Sequence, residues 1–220
     1  SVPFASACRD NGIQPIVGTF LAVARDGLPG GDTSGQDGQI DWLALFAKDE
    51  AGWNNLCHLV SAAHLHRPLE REPHVTLGDL EGHSDGLICL TGGVEGALAR
   101  LLADGRAEAA GRYCDRLQAL FGDRLYIEIQ RHGRARESVV EPKLIDYAYR
   151  KGVPLVATNE PYFKTVKEYE AHDALLAIAG GSVLAQTERR KLNDQYYFKT
   201  RAEMVELFAD LPEALDSTIE

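Results

Sequence analysis

Long apolar runs are missing from this 220-residue sequence, and none approaches the roughly 18 residues that a membrane-spanning helix needs. The sequence also lacks a basic start followed by an apolar stretch, which is the pattern of a secretory signal. We therefore expect a cytoplasmic protein without membrane contact. Its four cysteines are widely spaced and form no CxxC pair, so neither a cysteine-based zinc site nor a disulfide scaffold is indicated.

Basic residues are in the minority, and this limits the partners. Lysine and arginine number 23 against 33 aspartates and glutamates, which gives a formal net charge of -10. A negative chain repels phosphates, so strong DNA binding by this chain alone is disfavoured. The sequence also shows no GxxxxGK phosphate loop, no Ser/His/Asp order and no cluster of polymerase aspartates.

The composition and the pattern of apolar residues predict one α/β domain. Hydrophobic residues make up 45% and charged residues 25%, as in ordinary globular proteins. Five strand-like runs alternate with helical segments, which favours a mainly parallel sheet, open or closed into a barrel. These runs cover residues 14–23, 41–48, 86–91, 124–130 and 153–159.

Apolar stripes and capping signals predict the helices between these strands. Two stripes have helical spacing: Trp53, Leu56, Cys57 and Val60, and then Val94, Ala97, Leu98, Leu101 and Leu102. Two capping boxes predict helix starts at Ser138 with Glu141 and at Thr200 with Glu203.

Both ends of the sequence predict a chain that continues. Residues 1–12 have the pattern of a helix end that stops at Gly12, and a new helix starts near Pro212, eight residues before the last one. We therefore expect a piece of a longer polypeptide.

Three segments mimic functional motifs but have simpler interpretations. Residues 26–39 hold five glycines and read as a surface connector. The turn Thr91-Gly92-Gly93 could bind a phosphate on free amides, yet short glycine turns between a strand and a helix are common. His64-Leu65-His66 resembles a metal-binding pair, but it lies where a solvated helix end is expected.

Polar side chains follow two of the predicted strands. Asn159 ends the last strand and Glu160 and Tyr162 follow it, while His132 follows the strand before it. Reactive groups in barrel and doubly wound folds lie past the carboxyl ends of strands, so these residues are candidates for a site. Two alternatives stay open: a lone histidine is often only hydrogen-bonded, and Glu160 before Pro161 also suits a helix start.

Several motifs resemble the PHP (polymerase and histidinol phosphatase) domain of the bacterial DNA polymerase III alpha subunit. The segment from Ala157 to Tyr162 is similar to that family's ATNDxHY motif, and the similarity extends over almost the whole chain. The other matching segments are GWNNL (52–56), GLICLTGG (86–93), EYEAHDALLAI (168–178) and MVELFADLPEAL (204–215).

The resemblance implies a fold and a domain organisation. The fold would be a PHP-type distorted (β/α)7 barrel that is incomplete at its amino terminus. Residues 1–200 would form the PHP domain without its first strands, and residues 201–220 would start the helical region that leads into the polymerase core.

The resemblance also implies where a metal site would lie. Glu160 replaces the family's aspartate and Tyr162 its histidine, while Phe20 stands at the acid of a PIIGxE strand and Trp42 at another histidine. His132 matches a strand-end histidine that binds metal in metal-containing members. A carboxylate can still bind a cation, but a phenol, a phenyl ring and an indole are poor substitutes for these ligands. His132 and Glu160 are therefore the predicted metal-binding residues, and the other three are vestigial positions.

Two main functions follow from this resemblance. The first is a degenerate, metal-free scaffold without catalytic residues of its own, which supports the rest of the alpha subunit and docks the proofreading exonuclease (epsilon) subunit, with DNA reached only through the parent holoenzyme. The alternative is a phosphoesterase or 3′–5′ exonuclease that uses a divalent metal, Zn, Mn or Mg. A weaker third possibility is an independent sugar or amino-acid phosphatase of the same fold.

Overall fold

The computed structural model describes residues 2–25, 40–66 and 72–219. The glycine-rich segment predicted as a connector, 26–39, lies outside the described residues. Strands in the described part form one sheet with the order β3-β1-β2-β4-β5-β6. Their bounds are β1 Gly18–Ala24, β2 Ile40–Ala47, β3 Val75–Thr76, β4 Leu87–Leu90, β5 Leu125–Gln130 and β6 Leu155–Thr158.

The sheet is mixed, because β2 runs opposite to the strands on both of its sides. It pairs antiparallel with β1 and with β4, whereas β1 with β3, β4 with β5 and β5 with β6 are parallel pairs. All five predicted strands are confirmed, and β3 is an addition that the sequence did not reveal. This α/β architecture is consistent with the predicted PHP-type barrel, although the sheet is not closed within the described residues.

The helices are α1 to α8 in chain order. Their bounds are α1 Val2–Asp10, α2 Glu50–Leu65, α3 Ala97–Ala103, α4 Ala107–Phe121, α5 Ala135–Lys151, α6 Tyr169–Ala179, α7 Arg201–Leu207 and α8 Pro212–Asp216. None of the described helices has the length and hydropathy that crossing a lipid bilayer requires.

The two faces of the sheet differ in what covers them. In β5, Leu125, Ile127 and Ile129 lie in the main core with residues of α2 to α5. Tyr126 and Glu128 alternate with them and therefore face the other side. On that second face, here called the inner face, the described buried apolar residues form a small cluster of Ala44, Leu90 and Val156.

The matched motif GWNNL places α2 against the turn before β4. A Cβ atom on Gly52 would lie 1.9 Å from the carbonyl oxygen of Gly86, so only glycine allows this approach. Asn55 donates a hydrogen bond of 2.9 Å to the carbonyl of Asp85. Because of this docking, α2 buries Leu56 but leaves Trp53 42% exposed, so the predicted stripe on this helix is wrong in part.

The other helical predictions have mixed outcomes. The second stripe is confirmed, since Val94 and the apolar positions of α3 are buried. Thr200 caps α7 together with Glu203, as predicted. The capping box at Ser138 is wrong, because α5 starts one turn earlier and uses Glu137, while the Ser138 hydroxyl donates to the carbonyl of Ala135.

The carboxyl-terminal helices pack on the same core as the sheet. Phe208, Leu211 and Ala214 are buried within the main cluster, and α8 lies beside β6. The predicted division at residue 200 stays a prediction, although the segment after it shares its core with the strands.

Candidate functional site

Polar residues gather at one edge of the sheet. Because β2 is reversed, its first residues lie at the same edge of the sheet as the carboxyl ends of β1, β4, β5 and β6. We call this the carboxyl edge. It brings together Asp41 and Trp42 from β2 with Thr91 after β4, His132 after β5 and Glu160 after β6.

His132 is held by Glu137 from the first turn of α5. Its Nδ1 atom lies 3.0 Å from Oε1 of Glu137, while Oε2 of that carboxylate accepts from the backbone N–H groups of His132 and Arg134 at 2.7 and 3.1 Å. Burial by itself would raise the pKa of Glu137, but the hydrogen bonds from His132 and Arg134 outweigh it and lower that pKa. An ionised carboxylate only accepts, so Nδ1 is the ring nitrogen that donates to Glu137.

The other nitrogen of His132 is left without a partner. Nε2 is buried and makes no hydrogen bond to any described residue. A carboxylate that fixes one ring nitrogen and frees the other is the usual support of a metal-binding histidine. The ring is nevertheless only 1% exposed, since Tyr196 stacks on it with 3.9 Å between ring centroids and 2° between planes.

Sequence reasoning missed both neighbours of His132. Glu137 had only a weak signal, because it stands at the capping-box position of α5 but the N-cap there is Arg134 and not a serine or threonine. Tyr196 had none, since it lies 64 residues away in a segment without helix or strand.

Glu160 and Tyr162 form a pair of their own. The Tyr162 hydroxyl donates to Oε1 of Glu160 at 2.5 Å. Burial, together with this hydrogen bond, raises the pKa of Tyr162 to about 12, so the phenol stays neutral. Tyr162 is therefore a donor to the carboxylate and not a substitute for a metal-binding imidazole.

Phe20 and Trp42 form an aromatic pair on the inner face. They come from β1 and β2, with ring centroids 5.2 Å apart and planes 5° from parallel. Phe20 is 42% exposed, so this pair is an apolar surface beside the edge. The family resemblance places an acid and an imidazole at these two positions, and neither ring that stands there can bind a cation through a lone pair.

Glu128 is a buried acid that sequence reasoning did not single out. It lies on the inner face of β5, 4% exposed, and its Oε1 accepts from Thr158 Oγ1 at 2.5 Å and from Gln130 Nε2 at 3.2 Å. Oε2 has no partner among the described residues. Burial raises the pKa of Glu128, the bond from Thr158 opposes that shift, and the charge of Glu160 adds to it.

The residues present do not fit the metal centre that the family implies. Across residues 2–25, 40–66 and 72–219, no group of three or more His, Cys, Asp or Glu side chains could hold an ion. His132 contacts Glu137 and Tyr196, whereas Glu160 is hydrogen-bonded to Tyr162. The two predicted ligands, His132 and Glu160, therefore belong to separate sets of contacts.

For two of the three segments that mimic functional motifs, His64-Leu65-His66 and Thr91-Gly92-Gly93, the structure agrees with the simpler interpretation. His64 and His66 are exposed at the end of α2. A Cβ atom on Gly92 would lie 2.0 Å from the carbonyl oxygen of Trp42, and Gly92 has a φ of +81°. Glycine at this position thus allows the turn to approach β2 closely.

The comparison with known families identifies the domain. The PHP domain model matches residues 1–132, which is more than half of the 220 residues. The chain belongs to the PHP domain family. Within this PHP domain, the match runs from α1 to His132, two residues past the end of β5, and includes Phe20 and Trp42.

Curated relatives extend the similarity of this PHP-family chain over its full length. The DNA polymerase III subunit alpha of Caulobacter vibrioides is 41% identical over 220 residues, which is 100% of this chain and 19% of the relative. The subunits of the same name from Rickettsia bellii and Vibrio cholerae are 36% and 35% identical, again over 100% of this chain and 18% of each relative. The chain thus spans about a fifth of the length of these relatives.

Proposed function

We propose that this chain is the PHP part of a DNA polymerase III alpha subunit and acts in chromosomal replication as a metal-free scaffold. Support for the parent protein comes from the relatives of that name, which match over the whole chain. Polymerisation and contact with DNA then belong to the remaining polymerase core, in the cytoplasm.

The stacked pair of Phe20 and Trp42 carries the proposal of a scaffold. A metal centre needs several ligands that converge on one ion, and the loss of two removes much of the binding free energy. At these positions two rings contact each other instead. Tyr162, with its pKa raised to about 12 by burial and by Glu160, adds a third position without a competent ligand.

Metal content tests the scaffold. We expect the intact native subunit, dialysed mildly and measured by elemental analysis, to hold far less than one Zn or Mn per chain. The matched variant carries Phe20→Glu, Trp42→His and Tyr162→His together, and we expect it to gain metal. Near-stoichiometric metal in the native protein would contradict a metal-free scaffold.

The same proposal includes docking of the proofreading exonuclease subunit. A folded domain without its own reaction can still hold a partner near the polymerase core. Cross-linking mass spectrometry of the assembled polymerase and exonuclease tests this, and we expect cross-links from the exonuclease to lysines such as Lys151, Lys167 or Lys191. If every exonuclease cross-link maps outside this chain, the docking role is wrong.

A metal-dependent phosphoesterase or 3′–5′ exonuclease is the second candidate. It is favoured by the support of His132 by Glu137, which leaves Nε2 free. Hydrolysis of single-stranded DNA or of a phosphate ester by the intact subunit with Mn²⁺ or Zn²⁺ would support it, provided that His132→Ala abolishes the activity. Equal rates for the native and the His132→Ala protein would reject it.

A further inference from the structure

The segment 193–199 crosses the ends of β5 and β6 and is here called the strap. It contains neither helix nor strand, apart from one bridge between Phe163 and Tyr197. The Asn193 side chain donates to the backbone carbonyl of His132 at 2.7 Å. The strap is thus attached directly to the residue that it covers.

Further bonds attach the strap to the segment after β6. The Asn159 side chain donates to the carbonyl of Tyr197 at 2.8 Å, and the amide of Tyr162 donates to the carbonyl of Tyr196 at 2.9 Å. The amide of Phe198 donates to the carbonyl of Phe163 at the same distance. The strap therefore closes over the carboxyl edge between His132 and Glu160.

Tyr196 is the part of the strap that closes over the imidazole. Its ring is 3% exposed and lies flat on His132, and its hydroxyl accepts from Arg134 Nη1 at 3.3 Å. With Tyr196 in place, Nε2 of His132 meets neither solvent nor a described partner. An unpartnered buried nitrogen is unfavourable, so the closed position leaves a polar group unsatisfied.

The strap buries few of its side chains, in contrast to the sheet beneath it. Only Tyr196 and Lys199 of its residues are buried. Lys199 donates to Asn159 Oδ1 at 3.3 Å and to the carbonyl of Gln195. Burial lowers the pKa of Lys199, so covering its charged ammonium group costs free energy. Segments with few buried apolar contacts open at lower free energy than the core.

We propose that the strap is a reversible cover whose Tyr196 keeps His132 from ligands and whose opening presents Nε2 at the carboxyl edge. This goes beyond the proposed scaffold and does not depend on it, because it concerns access to His132 rather than metal content or a partner. Thr200, directly after the strap, caps α7, so a shift of the carboxyl-terminal helices would be transmitted to the cover.

The cover is tested by the rate at which diethyl pyrocarbonate modifies His132 in the intact native chain, mapped by peptide mass spectrometry. The exposed His64 and His66 are internal references. In the native protein we expect His132 to react at least about tenfold more slowly than these references, because reaction requires opening of the strap. A His132 that reacts as fast as His64 would overturn the proposal.

Variants separate the ring of Tyr196 from the rest of the strap. We expect Tyr196→Ala to bring His132 close to the reference rate, whereas Tyr196→Phe keeps the ring and the protection. Phe198→Ala is the matched control, since Phe198 belongs to the strap but is 66% exposed. Protection of His132 that persists in folded Tyr196→Ala would overturn the proposal.

A second variant guards against loss of folding in Tyr196→Ala. Asn193→Ala removes the bond to the carbonyl of His132 and the oxygen that accepts from the amide of Gln195 within the strap, and circular dichroism checks that the protein is folded. We expect faster modification of His132 in this variant, with unchanged rates at His64 and His66. An unchanged rate at His132 would count against the strap as the cover.

Discussion

Buried charge is the most demanding feature at the scale of single residues. Asp41 is 1% exposed at the start of β2, and it accepts from Arg25, with one bond at 2.9 Å, and lies 3.3 Å from Arg100. Arg100 also reaches Glu95 at 2.7 Å. Burial raises the pKa of Asp41 while Arg25 opposes the shift, so the carboxylate depends on its two arginine partners.

Removing the Asp41 carboxylate is expected to destabilise the protein. Asp41→Ala leaves Arg25 and Arg100 without their buried counter-charge, which typically costs about 3–5 kcal/mol of unfolding free energy. Urea unfolding measures this loss. The control is Asp115→Ala, which breaks the exposed pair with Lys151 and should cost less than about 1 kcal/mol. Equal losses of unfolding free energy in the two variants would show that burial of Asp41 does not set the cost of its removal.

Glu128 gives the protein a pH dependence that begins above the ordinary pKa of a glutamate. Its folded pKa is raised from the ordinary 4.5, mainly by burial, so the unfolded chain loses this proton first as the pH rises. Folding is therefore progressively penalised above the ordinary pKa, until the folded pKa is passed. We expect the Glu128→Gln variant to have a higher melting temperature than the native protein at pH 8 but not at pH 4.

The exposed Glu206→Gln is the control for this pH profile. It should shift the melting temperature little at either pH. A Glu128→Gln variant whose difference from the native protein does not change with pH would refute the assignment of the raised pKa to Glu128.

At the scale of elements, the start of α7 depends on one hydroxyl. Thr200 Oγ1 accepts from the amide of Glu203, and the Glu203 carboxylate accepts from the amide of Thr200 at 2.7 Å. Thr200→Ala should cost about 1 kcal/mol. Ser138→Ala is the comparison, since Ser138 lies inside α5 and should change the unfolding free energy by much less.

Urea unfolding and hydrogen exchange of α7 measure both variants. Equal losses in Thr200→Ala and Ser138→Ala would contradict these cap assignments. Local sequence could not separate the two boxes, because both have the same residue types at the same spacing. The tertiary structure separates the two boxes, since Glu141 pairs with Arg131 and not with a helix amide.

At the scale of the whole molecule, Arg131 joins the carboxyl edge to α5 and to the end of α7 with the turn after it. It binds Glu141 on α5, the carbonyl of Leu207 at 2.7 Å and Asp210 at 2.6 Å, and it lies over the ring of Phe208. These partners come from α5, from the end of α7 and from the turn between α7 and α8. Arg131 thus orients the segment after residue 200 against the sheet.

Arg131→Lys should loosen this segment while the sheet stays intact. A lysine keeps the charge but cannot make the parallel bonds of a guanidinium to two carboxylates. We expect faster hydrogen exchange in residues 204–216 and unchanged exchange in β4 to β6. Arg150→Lys, at an exposed pair with Asp146, is the control and should leave both regions unchanged. Faster exchange throughout the sheet would contradict a local role.

The sequence by itself determined the five main strands, most of the helices and the family, because apolar periodicity and short motifs are local. Only the tertiary structure decided the direction of β2, the stacking of Phe20 on Trp42 and the burial of His132 under Tyr196. The same applies to Glu128, whose pKa is raised mainly by burial within the folded sheet. The physical reason is that burial and pairing across the sheet join residues that are far apart in the chain, and the chemistry of an imidazole or carboxylate follows from those neighbours.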